Sequence, residues 1–386
     1  MPLRPPPLSL YVHLPWCVQK CPYCDFNSHP LRAALPEQDY LAALLRDLAD
    51  ELARAPDRTI DTVFFGGGTP SLFSAGAIAR VLDATGDQLA ADAEITLEAN
   101  PGTVEHGAFA AYRAAGINRL SLGAQSFDAA ALKRLGRIHG PNEIGRAVDE
   151  ARAAGLENFN LDLMYGLPEQ SLELALADVE HAIALDPAHI SHYQLTLEPQ
   201  TPFAKHPPPL PDDDTIWTMQ TECQAALAAA GFVQYETSAY ARDGRRCRHN
   251  LNYWRYGDYL GIGAGAHGKL TDAANGRIIR REKLRHPSRY MRAAGSPAVF
   301  TETAVADNDR MFEFMLNALR LNAGFDRRLF ETRTGCALDA ADAALAQAMK
   351  LGLLQHEGDR WFPSDRGRAY LNDLQALFLP EEGQAA

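Results

Sequence analysis

Nowhere does the chain hold an uninterrupted apolar run long enough to cross a bilayer, which excludes a helical membrane span. Positive charge is in short supply. Lys and Arg number 37 against 49 Asp and Glu, a formal net charge of −12, so the surface as a whole is unsuited to neutralising phosphates along a nucleic acid. Cysteine is scarce too: only six in 386 residues, and Cys223, Cys247 and Cys336 stand singly, each with the composition of a small buried thiol. There is no internal repeat and no long low-complexity tract. The opening Met-Pro-Leu-Arg-Pro-Pro-Pro shows no charged region followed by an apolar run and a cleavage site. A reducing, cytoplasmic compartment is therefore the expectation.

Against that background the remaining three cysteines are conspicuous. Leu8 to Leu14 reads as a buried strand, Pro15 ends it, and the loop that follows carries Cys17, Cys21 and Cys24. Thiolates gathered this tightly hold an iron–sulfur cluster or a zinc ion. Three donors to a cubane of four irons would leave one iron open to an outside ligand. The zinc alternative would recruit His29 as its fourth donor.

The rest of the first 200 residues alternates strand and helix. Pro36–Ala55 is an amphipathic helix; strands are expected at Thr59–Phe65, Glu94–Glu98, Arg119–Gly123, Asn158–Met164 and His189–Leu197. Helices are expected at Ser74–Leu89, Val104–Ala115, Asp128–Leu135, Asn142–Ala154 and Leu172–Leu185. Such alternation implies parallel pairing through right-handed crossovers, an α/β class that spacing alone leaves open between an incomplete barrel and a doubly wound sheet. A proline-rich break at Pro199–Pro211 precedes a helix over Asp212–Ala230, a strand over Gly231–Tyr240, and a loop-like stretch over Arg242–Lys269 rich in Arg, His, Tyr, Trp and Gly.

From Asp307 the texture changes to helices at Asp307–Leu321, Phe325–Thr332 and Leu338–Lys350, a hairpin over Leu354–Pro363 and a last helix over Asp365–Phe378, a winged-helix-like plan with a frayed tail from Pro380 to Ala386. This module carries thirteen Asp and Glu against nine Lys and Arg, with no basic recognition helix, so packing on the barrel or on a protein partner is expected rather than DNA binding.

Polar residues collect where the strands end. Gly66-Gly67-Gly68-Thr69-Pro70 follows one strand and can offer a concave set of N–H donors. Glu98, Gln125 and Asp162 lie at or near the ends of three others, the rim on which a β/α barrel builds its site. Arg137 is a candidate fork for a carboxylate.

The Cys-x3-Cys-x2-Cys spacing resembles that of the radical S-adenosylmethionine (SAM) superfamily, and the resemblance implies a partial (β/α)6 barrel with SAM chelating the fourth iron of a [4Fe-4S] cluster. Within the superfamily the chain is similar to the oxygen-independent coproporphyrinogen III oxidase-like branch, from Tyr11 to about His267. That likeness implies cofactor contacts at Tyr11, Tyr23, Gly67, Gly68, Thr69, Glu98, Gln125, Arg137 and Asp162, and cluster ligation by Cys17, Cys21 and Cys24. It divides the chain into a barrel (1–240), a connecting region (241–306) and the winged-helix-like module (307–386).

The coproporphyrinogen dehydrogenases of that branch carry a further cysteine two residues after the third, where this chain has Asp25-Phe26, and a longer N-terminal segment. Cys-Pro-Tyr-Cys-Asp-Phe and His249-Asn250-Leu251-Asn252-Tyr253-Trp254 instead resemble the HemW-type haem chaperones. That resemblance implies haem as cargo and transfer to an acceptor protein without decarboxylation; a homodimer is a separate expectation. His249 would be an axial ligand, Tyr253 and Trp254 porphyrin-stacking faces, Arg245, Arg246 and Arg248 partners for the propionates, and Cys247 an alternative thiolate. Gly261 to His267 is a glycine-dense loop able to approach a cofactor. The competing readings are a radical decarboxylase and a zinc-stabilised winged-helix regulator.

Overall fold

The structure, a computed structural model, describes residues 2–103 and 108–380. Six strands alternate with helices through the first half: β1 (Leu8–Leu14), β2 (Ile60–Gly67), β3 (Leu89–Ala99), β4 (Arg119–Gln125), β5 (Phe159–Tyr165) and β6 (His189–Gln194). They pair in parallel in that order. Helices α1 (Glu37–Leu52), α2 (Ala75–Asp83), α3 (Ala108–Ala114), α4 (Ala129–Arg134), α5 (Pro141–Ala153) and α6 (Leu172–Ala184) connect them. The start of the helix expected from Val104, and the tail beyond Pro380, lie outside the described residues.

Parallel strands are covered on both faces, and β1 shows it: Leu8, Leu10, Val12 and Leu14 are buried, and so are Ser9 and His13 between them. Side chains supply the helix caps that the sequence offers. Ser74, Asp128 and Ser171 each accept an N–H from the first turn of the helix they precede. The helix expected over Ser74–Leu89 stops at Asp83, because Leu89 already opens β3, twice as long as its apolar core suggested.

After α7 (Asp213–Ala229) the stretch expected as one strand, Gly231–Tyr240, is a hairpin of β7 (Val233–Glu236) and β8 (Ala239–Ala241) that extends the sheet beyond β6. The loop-like region 242–269 is ordered structure. It folds into α8 (Arg248–Trp254), β9 (Asp258–Ile262) and β10 (His267–Asp272). Helix α8 was invisible to periodicity because the residues it buries, His249 and Asn252, are polar. Asn252 donates to Ser9 Oγ and to the Asp258 carbonyl, each at 2.8 Å, and a Cβ on Gly257 would lie 1.8 Å from its side-chain oxygen. Glycine there is a packing requirement.

Strand β9 pairs in parallel with β1 on the side away from β2, so seven parallel strands form the centre of the sheet. Strands β10, β11 (Arg277–Lys283) and β12 (Phe300–Ala304) follow in antiparallel fashion. The complete order is β12-β11-β10-β9-β1-β2-β3-β4-β5-β6-β8-β7, an open sheet whose two edge strands do not meet. Residues 241–306 thus contribute four of its strands.

The C-terminal module, α9 (Asp307–Ala318), β13 (Phe325–Asp326), α10 (Arg327–Thr334), α11 (Asp342–Lys350), β14 (Leu354–Glu357), β15 (Arg360–Pro363), α12 (Asp365–Ala369) and α13 (Leu371–Ala376), has its own apolar core around Phe314, Phe325, Phe330 and Trp361. The β14–β15 turn falls at Gly358, φ +63°, as its sequence predicts.

Candidate functional site

The cysteine loop leaves β1 at Pro15 and is tied shut at its base, where Trp16–Cys17 pairs with His29–Pro30 and the His29 N–H donates to the Pro15 carbonyl at 2.7 Å. Cys17, Cys21 and Cys24 are free, half-buried thiols lining one cavity of about 150 Å³. The same cavity is bounded by Tyr23, Gly67, Gly68, Thr69, Glu98, Gln125, Arg137 and Asp162. Residues from six chain segments therefore converge on one site. Burial raises the Cys17 and Cys24 thiols above their usual range, so a bare thiolate is disfavoured there and a cationic cluster would satisfy what the protein does not.

The glycine loop is shaped by contact. A Cβ on Gly68 would stand 2.5 Å from the Trp16 carbonyl oxygen, and Gly67, at φ +118°, packs on the His13 ring. Gly67 N–H donates to Glu98 Oε2 at 3.1 Å. Withdrawal from water, reinforced by Asp162, pushes Glu98 up to about 8. Arg137 donates from Nη2 to the Gly123 carbonyl at 2.8 Å, lies 3.7 Å from Cys21 Sγ, and among the described residues its buried Nε has no partner. Gln125 sits at φ +68°, an uncommon state for a residue with a side chain, and accepts from the Tyr193 hydroxyl at 2.8 Å. Asp162 accepts from Ser121 and Asn160 at 3.1 and 2.8 Å. Tyr193, Ser121 and Asn100 also line the cavity and were missed by sequence reasoning; the signal was available for Tyr193, a polar residue near the end of β6.

His29 is not part of this site. Its ring faces His286 at 5.8 Å between centroids and lines a different hollow, so the zinc alternative loses its fourth donor. Among the described residues no three His, Cys, Asp or Glu side chains surround a single ion position.

A second, larger cavity of about 620 Å³ adjoins the first and shares Phe26, Gly67 and Glu98 with it. Tyr11, Tyr253, Trp254 and Tyr259 supply aromatic walls; Lys269, Arg280, Arg285 and His267 supply cations or imidazole. Tyr253 and Tyr259 meet edge-on at 4.6 Å. Tyr11 therefore borders the larger cavity rather than the thiols.

The His-Asn-x-x-Tyr-Trp stretch is split by α8. Tyr253 and Trp254 reach the large cavity, but His249 is fully buried, with Nδ1 2.8 Å from Thr62 Oγ1 and Nε2 2.9 Å from the Tyr253 hydroxyl. Burial drives its pKa down to about 3. Iron ligation by His249 would require one of these contacts to break, and the ring lines neither cavity. Arg246 and Arg248 line another cavity beside the N-terminal ends of β1 and β2, and Arg245 is exposed, so these arginines do not face Tyr253 and Trp254. The cations that share the cavity lining with them are Arg280, Arg285 and Lys269, the last buried with its ammonium held by Tyr256, Gly257 and Asp258. Cys247 is buried against Glu94, raised to about 11 by burial, and lines neither cavity.

Residues 11–181 match the family model of the radical SAM superfamily, and residues 305–370 that of the HemN C-terminal domain. The fold is that of coproporphyrinogen III oxidase (HemN) from Escherichia coli, with a TM-score of 0.81 at 24% identity, covering 97% of this chain and 90% of that one. Fold and cysteine site together define a radical SAM protein with a HemN-type C-terminal domain, a class that implies SAM and a [4Fe-4S] cluster. Over nearly its whole length the chain is also similar to the Heme chaperone HemW of Escherichia coli (strain K12), 52% identical over 97% of this chain and 99% of that protein. The Heme chaperone HemW of Haemophilus influenzae is 50% identical over 98% and 99% respectively. The chain belongs to the HemW family.

Proposed function

We propose that this protein binds haem in the large cavity, beside a SAM-ligated [4Fe-4S] cluster, and hands the haem to an acceptor protein in the cytoplasm. The observation that carries the reading is the make-up of the larger cavity: about 620 Å³, aromatic on its walls, lined by the Arg280 and Arg285 guanidinium groups, and sharing Phe26, Gly67 and Glu98 with the cysteine cavity. That volume lies within the roughly 300–1,000 Å³ of small-molecule sites. The aromatic faces suit a flat macrocycle and the cations its carboxylates.

Cys17, Cys21 and Cys24 would hold the cluster. Arg137 would fork onto the SAM carboxylate, Glu98 with the Gly67–Thr69 loop would receive its ammonium, and Asp162 with Gln125 the ribose hydroxyls, with Tyr23 on the same lining. The cluster, when bound, supplies one-electron chemistry to the sulfonium. His249 anchors Tyr253, and Trp254 is backed by the Arg320 guanidinium 4.2 Å above its ring. The division of labour we propose follows the chain: cofactor binding by 1–240, the haem-facing walls by 241–306, and engagement of the acceptor by 307–386.

The second reading, radical decarboxylation of coproporphyrinogen, is favoured by the shared lining of the two cavities and opposed by Asp25-Phe26 where those enzymes carry a further cysteine. The test is a paired assay on anaerobically reconstituted protein: haem uptake and transfer, against protoporphyrinogen formation from coproporphyrinogen III with dithionite and SAM. Stoichiometric haem uptake without turnover supports the chaperone; sustained turnover defeats it.

A further inference from the structure

Two histidines line the large cavity, His13 and His267. His13 is fully engaged, its Nδ1 2.9 Å from the Tyr11 hydroxyl and its Nε2 2.9 Å from the Asn27 carbonyl oxygen. His267 is different. Its side chain is 61% exposed, and among the described residues its ring makes no hydrogen bond. The nearest carboxylate, Glu282, stands 3.9 Å from Nε2.

The backbone explains why an imidazole stands there. Between β9 and β10 the chain turns through Gly263, at φ +100°, whose Cβ would meet the His13 carbonyl oxygen at 2.3 Å, and Gly265, whose Cβ would meet Asn27 Nδ2 at 2.4 Å. Asn27, in the cysteine loop, donates to the carbonyls of Ala264 and Arg285 at 2.8 and 2.9 Å. The glycine-dense stretch is thus clamped to the loop that carries the thiols, and His267 is the first residue it releases into β10. Its position relative to the cysteines is set by packed backbone, not by a free loop.

The register of the sheet completes the arrangement. His267 lies directly opposite Glu282 on β11, so the carboxylate is a cross-strand neighbour of the ring. Lys269, two residues on and on the same face, lies opposite Arg280. One sheet face therefore carries an imidazole with a carboxylate beside it at one end and, at the other, the Arg280 guanidinium on the cavity lining next to Lys269, whose buried ammonium is held by Tyr256, Gly257 and Asp258. A carboxylate behind a ligating imidazole fixes its ring orientation and raises its basicity. A macrocycle with iron at its centre and carboxylates at its edge asks for these groups in this relation.

We infer that His267 ligates the iron of bound haem, with Glu282 orienting its ring. The inference rests on the haem-carrier reading of the same cavity. It transfers the ligand role expected of His249 to a residue whose ring nitrogens are free to take it.

The experiment uses the full-length, cluster-reconstituted protein titrated with ferric haem, followed by the Soret band and by electron paramagnetic resonance. His267→Ala is expected to lose the imidazole-ligated spectrum and to weaken haem binding by on the order of 10-fold or more. Imidazole added to the His267→Gly variant is expected to restore that spectrum. Glu282→Gln is expected to keep ligation while shifting the iron's reduction potential. A wild-type spectrum in His267→Ala overturns the inference, and so does loss of ligation in His249→Gln with His267 intact. Failure of the wild type to take up haem at all removes the carrier reading itself, a result recognisably different from uptake with an unaltered ligand.

Discussion

The Gly67 N–H lies 3.1 Å from Glu98 Oε2, and these two residues form part of the wall between the thiol cavity and the larger one. Burial raises this carboxyl from 4.5 to about 8, so at neutral pH it keeps its proton until a cation arrives. SAM binding through its ammonium should therefore release close to one proton at about pH 7, seen as a buffer-dependent enthalpy in calorimetry, and the release should shrink in Glu98→Gln. The sign for stability follows. Between about 4.5 and 8 the folded chain holds a proton that the unfolded chain has lost, so this residue erodes stability as pH rises through that window, and Glu98→Gln removes the erosion.

Serine at Cys17, Cys21 or Cys24 should abolish iron and sulfide binding and the brown absorbance. The loop they occupy is tied at its base by backbone pairing of Trp16–Cys17 with His29–Pro30, and the thiols stand outside the apolar core. The apo-protein's thermal midpoint should accordingly move by no more than a few degrees, as for substitutions of about 0.5 kcal/mol or less. A collapse of the fold in all three variants would contradict the assignment of these thiols to a cofactor.

Arg137 is held by the Gly123 carbonyl, and among the described residues its buried Nε has no partner. Arg137→Lys keeps the charge and loses the planar fork. SAM affinity should fall by roughly 10–100-fold, the worth of about 1.5–3 kcal/mol for hydrogen bonds to a charged group, with iron content unchanged. Equilibrium dialysis against SAM with parallel iron analysis separates the two readouts.

The thiol site was legible in sequence because its donors are close along the chain and because parallel strands deliver their ends to one rim: Gly67, Glu98, Gln125 and Asp162 needed only the β/α alternation to be brought together. What was illegible is what depends on contacts distant in sequence. Helix α8 buries His249 and Asn252 against Thr62 and Ser9, so its polar face reads as a loop. Strand β9 joins β1 across some 240 intervening residues, and with it the glycine stretch before His267 acquires its reason only from Asn27. Of the arginines near His249 in sequence, Arg245 and Arg246 precede α8, and Arg246 and Arg248 line another cavity, a separation that adjacency conceals.

His249 is neutral in the fold, lowered from 6.5 to about 3 by burial, while in the unfolded chain it charges below its ordinary value. Stability is therefore lost as pH falls from about 6.5 toward 3, a window shared with His13, His139 and His192, each lowered to about 4. His249→Gln should flatten that acid slope by up to one proton. His249→Ala, which leaves a cavity and strips the Tyr253 hydroxyl of its imidazole partner while Thr62 keeps Ser9 Oγ at 2.8 Å, should cost about 2–4 kcal/mol, read from a lower denaturant midpoint at unchanged slope.

Glu313, on α9 of the C-terminal module, accepts from Arg280 Nε at 3.0 Å and Nη2 at 2.7 Å, and from the Tyr256 hydroxyl at 2.6 Å. Arg280 in turn lines the large cavity and donates to Tyr259 at 3.1 Å. The module's carboxylate therefore neutralises a guanidinium that haem propionates would otherwise meet. Glu313→Gln removes that competitor and leaves the cation in place. Stability should fall by about 1–3 kcal/mol, since a charge-assisted pair at a half-buried junction is broken. Haem affinity should rise in the same variant, and the gain should fade with added salt as the exposed charge is screened. A loss of haem affinity alongside the loss of stability would mean that Arg280 serves only to fasten the module to the sheet. The opposite signs of the two effects are what connect this interface to the cargo.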